Sequence, residues 1–257
     1  MQDLFTVAGK VALVTGGSRG IGYMIAQGFV EAGAKVYISA RKAGACNAAA
    51  AELSKLGKCI SIPGDVGTEA GARAIADAIA AREDRLHILV NNAGATWAAP
   101  MTEFPDEAFD KVVNTNLKGV FHLTRFLVPL LEKAGTHADP ARVINIGSID
   151  GLQAPTLQTY AYSSSKAAVH HLTRVLAHEL APKHITVNAI APGPFESKMM
   201  HETLQKFGEA MIASNPMKRI GEPEDMAGTS IFLASRAGAY ITGAVIPVDG
   251  GISTRHA

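Results

Sequence analysis

The sequence predicts a single α/β domain, a Rossmann-like doubly wound parallel sheet of seven strands flanked by helices. Short apolar runs rich in β-branched residues, which are typical of buried strands, occur at 11–14, 36–38, 59–62, 88–90, 143–146, 186–190 and 245–248. Longer stretches with helical spacing separate these runs, so strand and helix alternate along the chain. Such alternation predicts right-handed crossovers, with binding residues at the carboxyl ends of the strands.

Composition is consistent with one unit. Hydrophobic residues make up 47% of the 257 residues, which is enough for an extensive core, and no low-complexity tract marks a linker. We therefore expect residues 1–257 to form one dinucleotide-binding and catalytic domain.

The charge balance argues against polyanionic partners. Lys and Arg total 24 against 23 Asp and Glu, a formal net charge of +1, so no global field attracts nucleic acid or an anionic membrane. The first residues lack the pattern of a signal peptide, and no segment has the roughly 20 apolar residues of a membrane span. These features predict a cytoplasmic protein.

No metal site is expected. Cys46 and Cys59 lie outside any CxxC pattern. His178 and Glu179 begin like a zinc-protease helix, but the position of the second ligand is Pro182, which cannot bind a metal.

The first strand runs directly into a glycine-rich segment, TGGSRGIG at 15–22, and then into a helix on which Ile21, Ile25 and Phe29 share one face. Glycines at a strand-to-helix turn let the backbone approach a pyrophosphate closely. The free N–H groups and the positive dipole end of the helix favour the same anion. This turn therefore predicts a dinucleotide site.

The end of the second strand predicts which dinucleotide is used. An acidic residue there typically holds the ribose hydroxyls of NAD, but this strand ends Ser39-Ala40-Arg41. Arg41 and Arg19 offer two guanidiniums that suit a 2′-phosphate, which favours NADPH over NADH. Alternatively, Arg41 is a solvated loop residue and Arg19 only caps the turn.

The later elements carry further predictions. Ile75 and Ile79 indicate a third helix, and a long helical stretch begins near Asp106. The segment 161–181 is apolar around much of its circumference, so one face covers the sheet while another meets a partner subunit, or else the whole helix lies in the core. Pro247 cannot donate to a ladder and predicts an edge position for the last strand.

An insertion at about 195–215 has no strand signal but has an apolar side. Because it follows the carboxyl end of a strand, we expect it to be a small substrate lid. The apolar residues are Phe195, Met199, Met200, Leu204, Phe207, Met211 and Ile212.

Tyr162 and Lys166 stand at i, i+4, so a helix places both on one face. A nearby ammonium is expected to lower the pKa of the phenol from about 10, which makes Tyr162 a general acid for an alkoxide formed by hydride addition. Ser148 would donate a hydrogen bond to the same oxygen. Tyr160 has Ser164 at the corresponding position and lacks the cation.

Several motifs in order resemble the short-chain dehydrogenase/reductase family over nearly the whole chain, and most of all its 3-oxoacyl-thioester reductases, including the rhamnolipid-pathway type. The motifs are the 15–22 turn, Asn91-Asn92-Ala93-Gly94, Asn116, Ser148, the 162–166 segment, Pro192-Gly193 and Asp249-Gly250-Gly251. The resemblance implies a dimer or tetramer that reduces a small-molecule carbonyl with NADPH.

The resemblance also implies roles for single residues. The catalytic set would be Asn116, Ser148, Tyr162 and Lys166, with Lys166 on the nicotinamide ribose and Asn116 anchoring a water chain. Asp65 would contact the adenine amino group, and Asn91 and Gly94 would flank the adenosine ribose. The full set of implied cofactor contacts is Gly16, Ser18, Arg19, Gly20, Ile21, Gly22, Arg41, Asp65, Val66, Asn91, Ala93, Gly94, Tyr162, Lys166, Pro192, Gly193 and Ser197.

The substrate pocket is expected to be largely apolar. Its candidate residues are Trp97, Gln153, Phe195, Met199 and Met200. Family members that reduce carrier-bound thioesters usually have arginines near the entrance, before the fifth and sixth strands. Here residues 135–140 offer no cation and the second region offers only Lys183, so docking of a carrier protein is doubtful.

Three functions fit the sequence. The first is NADPH-dependent reduction of a 3-oxoacyl thioester or a hydrophobic ketone. The second is an alcohol, steroid or sugar-acid dehydrogenase, which the missing acidic residue after the second strand disfavours. The third is a non-catalytic nucleotide sensor, which the complete catalytic set disfavours.

Overall fold

A computed structural model describes residues 4–155, 157–197 and 200–254. Its strands form one sheet in the order β3-β2-β1-β4-β5-β6-β7, with every neighbouring pair parallel. The strands are β1 Val11–Thr15, β2 Lys35–Ser39, β3 Cys59–Ser61, β4 Ile88–Asn91, β5 Ala141–Ile146, β6 Ile185–Pro192 and β7 Val245–Val248. The predicted doubly wound sheet of seven strands is confirmed, and Pro247 lies on an edge strand as expected.

Helices cover both faces of this sheet. They are α1 Gly20–Glu31, α2 Ala43–Leu53, α3 Glu69–Ala80, α4 Asp106–Val113, α5 Gly119–Ala134, α6 Tyr160–Leu180, α7 His201–Ser214 and α8 Pro223–Ala234. The helical stretch predicted from Asp106 is interrupted by a π-helical turn, Asn114–Lys118, which joins α4 to α5. Within the described residues, no helix is both long and apolar enough to cross a bilayer.

Alternate side chains of the strands enter two cores. In β1, Ala12 and Val14 pack on the side of α1, α2 and α8, whereas Val11 and Leu13 pack on the side of α3, α5 and α6. Because both faces are covered, the central strands are apolar at successive positions, which explains why they appear as continuous runs in the sequence.

A chain of buried polar side chains ties the central strands to α6. The Asn91 amide donates to Thr124 Oγ1 at 3.0 Å and to Asn145 Oδ1 at 2.9 Å, and the Asn145 amide donates to Thr173 Oγ1 at 2.9 Å. All of these side chains are buried, so each bond also removes the cost of an unpaired polar group. This series of hydrogen bonds sets the position of α6 relative to the ends of β4 and β5.

Candidate active site

The glycine-rich turn after β1 has the backbone conformation that the sequence predicts. Gly16 and Gly20 have φ values of +66° and +54°, which other residues rarely adopt. A Cβ atom at Gly16 would also lie 2.7 Å from the Asn92 amide nitrogen, and one at Gly22 would collide with the same amide. The turn is therefore packed against the loop after β4 and has no room for side chains there.

Hydrogen bonds lock these two loops together. Thr15 Oγ1 accepts from the backbone N–H groups of Asn92 and Ala93, both at 3.0 Å, and the Asn92 side chain donates to the Thr15 carbonyl at 2.8 Å. The first turn of α1, a helix of 12 residues, follows directly. Its amides and the glycine backbone form a cradle that suits a pyrophosphate.

Cations flank this cradle on one side. Arg19 precedes α1, Arg41 follows β2, and both are exposed. The segment between β2 and α2 contains no carboxylate, so the cations are free to accept a 2′-phosphate. Asp65 is half-buried and its carboxylate accepts the Gly67 N–H at 2.9 Å, whereas the Val66 side chain lies in the core and leaves only its backbone for a ligand.

Two residues expected to flank the adenosine ribose have other neighbours in this structure. The Asn91 side chain is 4% exposed and belongs to the internal polar chain, so only its backbone is left for a ribose. A Cβ atom at Gly94 would lie 3.4 Å from Asn116 Oδ1 and 3.8 Å from Lys166 Nζ. Gly94 therefore lies at the catalytic end of the cleft rather than at the adenosine end.

The predicted catalytic side chains are brought together at the ends of β5 and α6. Tyr162 and Lys166 occupy the first two turns of α6, and the Lys166 ammonium lies 5.6 Å from the centroid of the Tyr162 ring. Lys166 donates to the Ile146 carbonyl at 2.7 Å, while Ser148 hydrogen-bonds the Tyr162 hydroxyl. A carbonyl oxygen held by both hydroxyls would meet two donors and a nearby cation.

Asn116 lies inside the π-helical turn. Its side chain accepts the Ala95 N–H at 2.8 Å and donates to the Ala95 carbonyl and to Ser165 Oγ, both at 3.0 Å. The extra residue of a π-helical turn rotates Asn116 inward, where it joins the loop after β4 to α6. Its role in anchoring a water chain stays a prediction.

The expected lowering of the Tyr162 pKa is wrong for this structure. Burial raises the pKa of Tyr162 to about 12, although the hydrogen bond from Ser148 opposes the shift. Burial also lowers the pKa of the Lys166 ammonium to about 8. Removal from water disfavours the charged form of each group, and it is the largest cause of both shifts.

One neighbour of the site was missed by sequence analysis. His170 is 3% exposed, and its interaction with the backbone of Gly151 favours the charged form of the ring. The ring lies beneath Gly147 and Gly151, and a Cβ atom at Gly151 would lie 2.9 Å from its Cε1. Burial and then the charge of Lys166 lower its pKa to about 4, so His170 is a neutral support for the Ser148 loop.

Comparison with known proteins agrees with this site. A family model described as Enoyl-(Acyl carrier protein) reductase matches residues 16–253. The chain is 52% identical over 253 residues to the rhamnolipids biosynthesis 3-oxoacyl-(acyl-carrier-protein) reductase of Pseudomonas aeruginosa, which covers 98% of this chain and 99% of that protein. The chain belongs to the short-chain dehydrogenase/reductase family.

Solved structures of this family are similar along the whole chain. The Pseudomonas aeruginosa RhlG/NADP active-site complex matches with a TM-score of 0.95 and 51% identity over 98% of this chain and 100% of that one. A gluconate 5-dehydrogenase from Burkholderia cenocepacia, in complex with NADP and tartrate, matches with a TM-score of 0.92 and 31% identity over 99% of each chain. This short-chain oxidoreductase thus shares its fold with enzymes whose names indicate different substrates.

The segment predicted to be a lid differs in part from the prediction. Phe195 is 2% exposed and its ring packs on Gly221, so its side chain belongs to the core, and the cavity that it borders is one shared with residues near β7 such as Asn215 and Ile246. Met199 lies outside the described residues. Met200 is half-buried at the start of α7, and its N–H donates to the Ser197 carbonyl at 3.0 Å.

Residues 193 and 197, which follow β6, pack closely against other parts of the predicted cofactor site. A Cβ atom at Gly20 would lie 3.1 Å from Ser197 Cβ, so Ser197 contacts the glycine-rich turn. A Cβ atom at Gly193 would lie 2.8 Å from Asp249 Cα, which leaves no room for a side chain after Pro192. The remaining expected contacts, Ser18 and Ile21, are half-buried in the same turn.

The substrate side is formed by two loops. The Ala99 N–H donates to the Gln158 carbonyl at 3.3 Å, which joins the loop after β4 to the loop before α6. Trp97 and Gln153 are exposed here, and their place in a substrate pocket stays a prediction. The same loops expose further apolar side chains that sequence analysis did not single out, Met101, Leu152 and Leu157.

The segments expected near the substrate entrance lie at the other edge of the sheet. Residues 135–140 precede β5 and Lys183 precedes β6, so both lie at the amino ends of parallel strands, opposite Ser148. Lys183 also pairs with Glu132 at 3.4 Å. The absence of arginines there therefore does not decide how a carrier would reach this chain's own site.

We predict that the catalytic efficiency of reduction falls above about pH 8. Lys166 is charged below its pKa of about 8 and neutral above it, so the cation beside the developing alkoxide is lost as the pH rises. The measurement is kcat/KM for NADPH from pH 6 to 10, because this parameter reports ionisation of the free enzyme. The variant Lys166→Arg carries a guanidinium, which stays charged over this pH range. Its residual kcat/KM should therefore not fall above about pH 8. A flat wild-type profile up to pH 10 would contradict the assignment.

Proposed function

We propose that this oxidoreductase reduces the ketone of a 3-oxoacyl thioester, or of a similar hydrophobic ketone, to a secondary alcohol with NADPH. The observation that carries the proposal is the convergence of Ser148, Tyr162 and Lys166 beside a glycine cradle with exposed cations. No acidic group after β2 competes with a 2′-phosphate for Arg41.

Each polar side chain of the site has a separate role in the proposed reaction. Bound NADPH supplies the hydride that the carbonyl carbon accepts. Ser148 and Tyr162 orient the carbonyl oxygen by hydrogen bonds, and Tyr162 gives its proton to that oxygen as charge develops on it. A phenol whose pKa is about 12 is fully protonated at neutral pH and still a far stronger acid than an alcohol, so the proton moves in the direction of reduction. Lys166 stabilises the phenolate that remains until a solvent proton replaces the one transferred.

The apolar loops favour an acyl or other hydrophobic substrate. Trp97, Met101, Leu152 and Leu157 are each more than 40% exposed on the substrate side. Exposed apolar side chains grouped at a cleft are typical of a ligand-binding surface. The similarity to a 3-oxoacyl reductase points to the same class of substrate, and the thioester carrier is left open between coenzyme A and a protein.

The alternatives receive less support. An alcohol, steroid or sugar-acid dehydrogenase would use the same catalytic residues, and the fold is shared with a gluconate dehydrogenase. Arg19 and Arg41 at the adenosine end nevertheless favour NADPH, the cofactor that enzymes usually employ for reduction rather than oxidation. A nucleotide sensor without catalytic activity would not need the full set of Asn116, Ser148, Tyr162 and Lys166.

We also infer that the chain forms a dimer or tetramer in solution. Phe121 on α5 and Val175 on α6 are 40% and 51% exposed, which leaves apolar surface on two neighbouring helices. Light scattering after size exclusion should give two or four times the mass of the chain, and a monomer at micromolar concentration would count against the inference.

Replacing the proton donor should stop the reaction but not cofactor binding. We predict that Tyr162→Phe lowers kcat by at least about 100-fold, the contribution expected of a general acid, and changes the Kd for NADPH by less than about threefold. Loss of NADPH absorbance with an acetoacetyl thioester measures the first, and calorimetry measures the second. Tyr160→Phe is the matched control, because Tyr160 packs on Phe104 and lacks a cation one turn on. Equal loss in both variants, or an active Tyr162→Phe, would refute the assigned role.

Cofactor selectivity should depend on Arg41. We expect wild-type kcat/KM to be at least about tenfold higher with NADPH than with NADH, since a paired phosphate contributes on the order of 1.4 kcal/mol or more. Arg41→Ala should remove most of this preference by weakening the binding of NADPH alone, whereas Arg82→Ala, in the turn after α3 and before β4, should not. Equal efficiencies for the two cofactors in the wild type would disprove the phosphate site.

A further inference from the structure

The two ends of the cleft carry opposite charge. The cofactor end has Arg19 and Arg41. The substrate end is built from the joined segments 95–105 and 147–159, and their sequences contain no Lys, Arg or His. The charged residues in these two segments are Glu103 and Asp150.

Asp150 is the acid close to the reacting centre. It lies in the helical turn Ile149–Gly151, and its N–H donates to Ser148 Oγ at 3.1 Å. The next residue, Gly151, lies against α6, where a Cβ atom would be 2.7 Å from the Lys166 carbonyl carbon. Asp150 is thus held between the residue that binds the substrate oxygen and the helix that carries the proton donor.

The carboxyl group of Asp150 has no ion-pair partner among the described residues. The residue is half-buried. Burial raises the pKa of Asp150. Burial is also the main cause of the raised pKa of Tyr162, but the negative charge of Asp150 adds to it, so the field of this carboxylate reaches the phenol. Glu103, by contrast, is exposed.

We propose that Asp150 is a specificity-determining residue that excludes ketones bearing a negative charge next to the carbonyl. This inference rests on the proposed function. With its oxygen between Ser148 and Tyr162, a free 3-oxo acid or a sugar acid would bring a carboxylate into the field of Asp150. Lys166 of α6 lies on the side of the carbonyl oxygen and is bonded to the Ile146 carbonyl, and the two loops add no cation that would offset the repulsion. Conversion of the acid to a thioester removes that charge, so the site accepts the activated substrate and rejects its hydrolysis product.

The repulsion acts over a short range. Like charges a few ångströms apart in a partly desolvated site repel strongly, whereas exposed charges more than about 8–10 Å apart are largely screened at physiological ionic strength. Phosphates of a carrier that remain outside the cleft are therefore tolerated. The discrimination concerns only charge within a few bonds of the ketone.

Three methyl ketones that differ in charge test the proposal with NADPH as reductant. They are acetoacetate as the anion, its N-acetylcysteamine thioester as the neutral ketone, and 4-(dimethylamino)butan-2-one as the cation. In Asp150→Asn, which keeps the backbone bond to Ser148, the ratio of kcat/KM for acetoacetate to that for the thioester should rise about tenfold. The corresponding ratio for the cationic ketone should fall several-fold.

Two controls separate charge from shape. Glu103→Gln removes an acid from the same loops but an exposed one, and it should leave both ratios within about twofold of the wild type. In the wild type, raising NaCl from 0.05 to 0.5 M should reduce the difference in kcat/KM between acetoacetate and the thioester, because salt screens the repulsion.

The outcomes distinguish this inference from the proposed function. If Asp150→Asn changes kcat/KM for all three substrates by the same factor, or leaves the ratio of kcat/KM for acetoacetate to that for the thioester unchanged, Asp150 does not select by charge. If instead the wild type does not reduce the neutral thioester at all while a steroid or sugar alcohol is oxidised, the proposed function fails, whatever the variant does.

Discussion

The site depends on the burial of a phenol and an ammonium one helical turn apart. Tyr162 and Lys166 share one face of α6, and burial shifts the pKa of each toward its neutral form, to about 12 and about 8. Such a pair keeps the proton on the phenol and lets the ammonium stabilise negative charge only when the reaction creates it. The hydrogen bond of Lys166 to the Ile146 carbonyl fixes this pair to the end of β5, where Ser148 follows.

The rest of the framework holds this pair against the cofactor cradle. Three side-chain hydrogen bonds through Asn91 and Asn145 join β4, β5, α5 and α6, and Asn116 ties α6 to the loop after β4. Thr15 fastens that loop to the glycine-rich turn. The distances in the site are thereby set by the sheet and by the helices that pack on it.

The sequence predicted the fold and the placement of Tyr162 beside Lys166 because both depend on local patterns. Alternating apolar runs and helical spacings identify a parallel sheet, and Pro247 identifies its edge. The i, i+4 spacing of Tyr162 and Lys166 requires nothing beyond a helix. The glycine-rich turn follows from its position after the first strand, since only there do its amides face the carboxyl edge of the sheet.

Other features depend on packing that a pattern does not encode. Asn91 precedes an exposed loop, yet its side chain points into the interior because Asn145 and Thr124 offer partners there. Phe195 begins an apolar insertion, but the missing side chain at Gly221, far along the chain, gives its ring a place in the core. The raised pKa of Tyr162 reflects the extent of its burial, which the spacing to Lys166 alone does not reveal. The inward turn of Asn116 results from a π-helical turn that has no sequence signal of its own.

A crystal structure with NADP⁺ and an unreactive analogue of a 3-oxoacyl thioester tests the central claim most directly. We expect the analogue's carbonyl oxygen within hydrogen-bond distance of both Ser148 Oγ and the Tyr162 hydroxyl, with its carbonyl carbon about 3–3.5 Å from nicotinamide C4. A nicotinamide ring bound away from Tyr162, or a carbonyl oxygen held by other groups, would contradict the claim.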